Sequence, residues 1–309
     1  MDDQLGFFAI LSTPREKHER LLTDFVAPLA RELRDAPELD SLFFARYNVP
    51  TWQVRLRILG EPEWVSGPVR ERVERDVEHL SAVGVVEGVE YSGYDRELPR
   101  YGGEEGMALA EKIFFHDSLA CLDLIEAERQ GHLGKTRREI SLLMTERLLD
   151  FFRFDRAERL AFYAYGYRWT REMGTWDGDD LGIIDRRYED LQAGLQDLFS
   201  GEQSREPDLL WGGEVPAGIA LRWMESTRPL IDELRAGLAA SRIHQDPIYL
   251  AWSYAHMNCN RLGIDTTPEA LLRYFMHRLL ADGGGLPDPA TESSGESGNP
   301  LVATIADES

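Results

Sequence analysis

Apolar positions along this chain recur first with period two and then with period 3.6. Residues 5–11, centred on Phe7 and Phe8, form a short apolar run that predicts a first strand, ended by Pro14. Residues 42–47 and 52–59 predict two further strands, paired through the turn-compatible Asn48-Val49-Pro50. The second alternates: Trp52, Val54, Leu56 and Ile58 fall on one face, Gln53, Arg55 and Arg57 on the other. Between the first strand and this pair, Leu21, Leu22, Phe25, Val26, Leu29 and Leu33 predict a helix over 18–33, with Pro28 as a kink or break. Residues 62–68 read as a polar connection bounded by prolines, 69–80 as an amphipathic helix, and 83–91 as a strand interrupted by glycine.

From Met107 onward the helical period takes over. Helices are predicted from 107 through 125, at 138–151, 157–169, 188–199, 219–238 (with Pro229 as a kink or break), 247–261 and 267–280. Residues 201–213 read as a polar, glycine-rich connection. The fold class is therefore α+β: a mixed or antiparallel sheet packed with helices in the N-terminal half, and a predominantly helical C-terminal half. Residues 1–282 are expected to form one catalytic unit, and 283–309, rich in glycine, serine and proline, a weakly ordered tail. Tyr163, Tyr165, Tyr167 and Trp169 could line a groove, but aromatic density on a helix is first a packing signal.

Composition narrows the function classes. A formal charge of −21 over 309 residues argues against generic nucleic-acid binding, which relies on Lys and Arg. Arginine greatly outnumbers lysine, and arginine favours bidentate contact with carboxylates. The two cysteines, Cys121 and Cys259, lie far apart and outside any CxxC, so neither a disulfide framework nor a zinc site is implied. Cys121 falls in an apolar pattern and reads as a buried thiol. Asp177, Asp179 and Asp180 lack the ordered spacing of a calcium loop. No apolar run reaches the ~18 residues of a membrane span, and the N-terminus lacks a signal-peptide pattern; a cytoplasmic location is expected.

Candidate chemistry concentrates in residues 91–118, YSGYDRELPRYGGEEGMALAEKIFFHDS, which read as a strand end, a polar loop and a helix start. Gly102-Gly103 permits a tight turn, and Glu104 and Glu105 suit the exposed N–H groups of a helix N-terminus. An arginine at such a junction can grip a carboxylate, although the same residues also suit an ordinary surface loop. Arg55 and Arg57 make a positive strip on one strand face, which could equally be a solvated face with ion pairs. His256 follows an apolar run, where a histidine is more often packed than catalytic.

The motifs also carry a resemblance. Tyr94, Glu97, Arg100 through Gly103, Met107, Glu111, Phe114, Asp117 and Ser118 resemble the YxxExxRYGG…MxxxExxFxxDS pattern of the C-terminal domain of class I lantibiotic dehydratases, which also occurs free-standing in thiopeptide clusters. The strand with Arg55 and Arg57, after Phe43-Phe44-Ala45-Arg46-Tyr47, resembles that family's HxRxR, with Gln53 where histidine is common. His256-Met257 and Asn260 through Gly263 resemble its HMxxNRLG. The resemblance spans about residues 5–282.

It implies a peptide-modifying carbon–oxygen lyase that eliminates glutamate from a glutamylated ribosomal precursor peptide, leaving dehydroalanine or dehydrobutyrine. His256, Arg57 and Arg100 are the implied catalytic residues. Arg55, Gln53, Tyr94, Glu97, Tyr101 and Asn260 are the implied substrate contacts. Neither metal nor organic cofactor is required. The expected partners are a modified precursor peptide with its leader and a separate glutamylation protein, since the large N-terminal portion that transfers glutamate is not in this sequence. A homodimer is compatible but no residue pattern demands it. Two alternatives stand beside this: a pyridine synthase that performs a formal [4+2] cycloaddition with leader expulsion, and a noncatalytic precursor-binding subunit.

Overall fold

A computed structural model of the protein describes residues 6–172, 181–199 and 206–283. Asp177, Asp179 and Asp180, and the tail from 284 onward, lie outside them. Four strands form one antiparallel sheet in the order β2-β3-β1-β4. They are β1 (Gly6–Ser12), β2 (Leu39–Tyr47), β3 (Gln53–Gly60) and β4 (Gly88–Ser92). The rest of the described chain is mainly helical, so the class is α+β with an antiparallel sheet. Among the described residues, no helix is long and apolar enough to cross a membrane.

The prolines act differently from their sequence reading. Helix α1 covers residues 18–33: His18–Leu21 and Ala27–Leu33 are α-helical, joined by a wider π turn at Leu22–Val26. Pro28 then falls at the start of the second segment, where a missing N–H costs little. Helix α2 begins at Pro62, so residues 62–68 are not a connection. A π turn at Val65–Val69 accommodates Pro68, and the helix runs on through Arg70–Ala82. The strand expected from residue 83 begins only at Gly88. Gly84 has φ +70°, and the Val85 and Val86 N–H groups turn back to the Leu80 carbonyl, closing the helix.

The remaining helices are α3 (Glu104–Arg129), α4 (Arg137–Phe152), α5 (Arg156–Glu172), α6 (Leu181–Phe199), α7 (Pro207–Trp211), α8 (Glu214–Ala239), α9 (Pro247–Arg261) and α10 (Thr266–Ala281). Helix α7 lies inside the expected connection at 201–213, and α6 starts seven residues before its predicted position. Pro229 is carried within α8. Helix α4 starts on a reciprocal capping box, Thr136 with Glu139.

The backbone gathers into two compact units, neither contiguous in sequence. Among the described residues, the first comprises 6–133, Gly218–Gln245 and Asn260–Gly263; the second comprises 134–172, 181–199, 206–217, Asp246–Cys259 and 264–283. In the first, the π turn of α2 packs on β1 and β3, and α3 packs along β2. Val54, Leu56 and Ile58 are fully buried on one sheet face, as the alternation predicts. Burying three such side chains contributes about 1.5–3 kcal/mol each. The outer edge of β2 is closed by side chains: Ser118 Oγ accepts from the Phe44 N–H at 3.3 Å, and Arg261 Nε donates to the Phe44 carbonyl at 2.9 Å.

In the second unit, α5 packs against α10, and α6 also packs on α10. Its core is polar as well as apolar. Glu146 accepts from Tyr163 and pairs with Arg159, all three being buried. Burial raises the Glu146 carboxyl, against the pull of Arg159. Tyr163 is thus a core residue; the Trp169 side chain lies outside the described residues.

Candidate functional site

The sheet face opposite the apolar core carries the arginines. Register places Arg57 between Phe43 on β2 and Phe8 on β1, and places Arg55 between Ala45 and Ile10. The Arg57 guanidinium carbon lies 4.7 Å from the Phe8 ring centroid, 5.6 Å from Phe43 and 5.2 Å from Tyr94. Among the described residues no carboxylate pairs with Arg57, and its buried Nε has no hydrogen-bond partner. Half-buried and unpaired in a very acidic protein, this guanidinium retains its capacity to bind an anion. Tyr94 stays a neutral phenol: burial first, then Glu111, raise it well above the ordinary tyrosine value, against Arg57.

Arg55 is more constrained. Its Nε donates to Gln53 Oε1 at 3.2 Å, and the guanidinium lies 3.7 Å from the Tyr47 ring centroid. Gln53 is only 3% exposed and donates to the Val49 and Thr51 carbonyls at 2.9 and 3.3 Å. It braces the β2–β3 turn and aims Arg55; it does not face outward as a substrate contact.

The loop before α3 is held from both sides. Arg96 grips the buried Glu111 of α3 with two contacts, at 2.8 and 2.9 Å, and also reaches Glu104 at 2.7 Å. Gln245 donates to the Pro99 and Arg100 carbonyls, and the His244 N–H donates to the Gly102 carbonyl. Gly102 has φ +81°, and a Cβ there would come within 2.7 Å of Ile243 Cγ2, so this position requires glycine. Arg100 is left half-buried, pairing with Glu97 at 3.3 Å, where the Glu97 side chain is 60% exposed. Such an exposed pair contributes about 0–1 kcal/mol, so a competing carboxylate can displace Glu97.

Tyr101 is 1% exposed and packs edge-on against Phe114, which in turn lies 5.4 Å from Phe43. It supports the loop and does not meet a substrate in this conformation. Asn260 is likewise spent on structure, accepting from the Arg46 N–H at 2.8 Å and donating to the Arg46 carbonyl at 2.7 Å. Arg261, fully buried, pairs with Asp117 at 2.7 Å. The fold brings predicted residues together in three groups, Arg57 with Tyr94, Arg55 with Gln53, and Arg100 with Glu97 and Tyr101; Arg100 connects to Arg57 through the Tyr101–Phe114–Phe43 rings.

His256 belongs to the second unit. Its helix starts at the Asp-Pro step, where Asp246 Oδ1 accepts from the Ile248 and Tyr249 N–H groups. The helix closes at Gly263 (φ +76°). Trp252, one turn before His256, stacks on the imidazole with centroids 5.4 Å apart and planes 10° apart. Nδ1 lies 2.7 Å from Oε2 of Glu269, in the first turn of α10. No sequence signal points to Glu269: an acid after Thr-Pro at a helix start reads as a surface group favoured by the helix dipole.

Comparison with known proteins gives the family and the fold. The profile of the family described as "Lantibiotic biosynthesis dehydratase C-term" matches residues 7–280. The subtilin biosynthesis protein SpaB of Bacillus subtilis is 26% identical over 155 residues, which are 50% of this chain and 15% of SpaB. Among solved structures, the tRNA-dependent lantibiotic dehydratase MibB from Microbispora sp. 107891 superposes with a TM-score of 0.61 at 19% identity, over 92% of this chain and 28% of MibB. TsrL superposes with a TM-score of 0.62 at 18% identity, over 96% of this chain and 97% of its own. The pyridine synthase TbtD from thiomuracin biosynthesis superposes with a TM-score of 0.65 at 13% identity, over 91% of this chain and 99% of its own. These structural likenesses establish a shared fold. The chain spans only a small part of SpaB and of MibB.

Proposed function

The chain belongs to the lantibiotic dehydratase C-terminal family, and from that premise we propose that it is a peptide-modifying enzyme that eliminates glutamate from a glutamylated serine or threonine of a precursor peptide. The observation that carries this reading is the Arg57 guanidinium, which has no carboxylate partner among the described residues and a buried Nε without a hydrogen-bond partner there. Elimination presents a carboxylate twice, on the bound glutamyl group and on the departing glutamate. A cycloaddition between two dehydroamino acids offers Arg57 no such anion, which ranks that reading second. Noncatalytic precursor binding ranks third, because it leaves the His256–Glu269 pair without a task.

The roles follow from each group's surroundings. His256 takes the Cα proton; the released electron pair forms the Cα=Cβ bond; the Cβ–O bond breaks, and glutamate leaves as its carboxylate. Proton abstraction beside an amide places negative charge on the carbonyl oxygen, where a fixed cation lowers the barrier. Arg57 supplies that cation, Tyr94 a neutral donor beside it, and Arg100 a second carboxylate contact once Glu97 is displaced. Arg55 shapes the same sheet face. The precursor arrives with its leader, already glutamylated by a separate protein.

Carboxylate recognition is testable apart from turnover. By calorimetry at low salt, a glutamylated peptide is expected to bind about tenfold more tightly than the unmodified peptide, as about 1.4 kcal/mol from one charge-assisted hydrogen bond would give. The advantage should shrink as salt screens the attraction. Equal affinity for the two peptides would contradict the proposed role of Arg57.

A further inference from the structure

Resting on the elimination reading, we propose that Glu269 is the positioning residue of this reaction, fixing the proton of His256 on Nδ1 so that Nε2 presents its lone pair to the substrate. A neutral imidazole has one donor and one acceptor nitrogen, and the partner of one nitrogen decides the state of the other. At 2.7 Å from Nδ1, Glu269 Oε2 requires a proton on that nitrogen. The Trp252 ring, nearly parallel to the imidazole, fixes the plane in which Nε2 points. Trp252 is itself wedged by the edge of Tyr165, at 5.3 Å between centroids, and by Tyr249 at 5.7 Å.

The carboxylate is prepared for this task. Glu269 is 5% exposed, and its other oxygen, Oε1, has no hydrogen-bond donor among the described residues, with the Arg273 guanidinium 3.6 Å away. Burial alone would raise the Glu269 carboxyl; His256 first, then Arg273, outweigh it and hold it below the usual carboxylate range. Arg273 is anchored from behind, donating to Thr145 Oγ1 at 3.1 Å. His256 first, with the buried arginine behind it, thus keeps Glu269 ionised, and the ionised Glu269 keeps the histidine proton on one nitrogen. As His256 gains the Cα proton it becomes an imidazolium beside a fixed anion. Glu269 takes no proton itself.

The test combines a tautomer measurement with kinetics on the Glu269→Gln protein. In the unaltered protein, 15N NMR of the histidines should show His256 protonated on Nδ1 at a pH where the ring is neutral. A ring protonated on Nε2 would overturn the proposal without any variant. Glutamine keeps the size but can offer an amide N–H as readily as an oxygen, so the tautomer should become mixed. Because only the base is disturbed, kcat should fall about 10-fold or more with KM within about twofold, a fraction of the 10²–10⁴ carried by a full acid–base group. Retention of the single tautomer, or an unchanged kcat, would show that Glu269 is merely packed there. If the unaltered protein releases no glutamate, the elimination reading fails, while the NMR result still decides the tautomer.

Discussion

Alanine in place of His256 is expected to slow glutamate release about 10²–10⁴-fold, the usual worth of a positioned general acid–base group. The expectation rests on three features of the ring: it is partly exposed, stacked on Trp252, and held through Nδ1 by a buried carboxylate. A histidine serving only as packing has no need of an ionised partner. The substitution removes the Nδ1 hydrogen bond to Glu269, so that carboxyl should rise toward protonation and the melting temperature should drop. The sign follows from the direction of the shift. Glu269 is held low in the folded protein, so its contribution to stability is present above its unfolded pKa and is lost as the pH falls through the folded value. Single-turnover release of glutamate, measured on protein shown by circular dichroism to be folded, separates the chemical loss from the stability loss. A rate within a few-fold of the unaltered protein would remove His256 from the mechanism.

Arg57→Ala is expected to cost about 10²–10³-fold in the same assay, the range seen when one preorganised donor to a developing anion is removed. Here folding should be almost untouched. Among the described residues Arg57 has no carboxylate partner, so its removal strands no buried charge, and the cluster of Phe8, Phe43 and Tyr94 loses only a stacked cation. Arg57→Lys should recover only part of the rate, because a point charge cannot reproduce two parallel hydrogen bonds. The internal control is Arg55→Ala. Since Arg55 is occupied by Gln53 and the Tyr47 ring, its loss should reshape the face and lower the rate by less than the loss of Arg57 does. Equal effects from the two substitutions, or a normal rate in Arg57→Ala, would contradict the assignment.

Much of this arrangement was legible before the fold was known, wherever a local rule had a single outcome. The alternation in β3 placed Val54, Leu56 and Ile58 on the buried face and the arginines opposite. The helical reading of residues 247–261, ended by Leu262-Gly263, matches α9 at both ends. The prolines misled for a physical reason. Sequence treats them as breakers, whereas widened turns at Leu22–Val26 and Val65–Val69 absorb the missing donor or the ring and let the helix continue.

Site residues were harder, because spacing shows which side of an element a group lies on and not what occupies it there. Gln53, Tyr101 and Asn260 sit at motif positions, yet their polar atoms or rings are engaged within the fold. Arg96, which no motif singled out for a role, proves to be the clasp between the loop and Glu111. Glu269 was hidden altogether, since its burial beside His256 depends on where α10 packs and not on its own neighbours in sequence.

The central claim is the choice of reaction, and one measurement addresses it directly. The purified protein is offered two forms of its precursor peptide in parallel, one glutamylated and one already dehydrated, and both are followed by mass spectrometry. The elimination account predicts that the glutamylated peptide loses glutamate and gains an alkene, while the dehydrated peptide is returned unchanged. If instead the glutamylated peptide stays intact while the dehydrated one is cyclised and loses its leader, the elimination account is wrong and the protein is a cycloaddition enzyme.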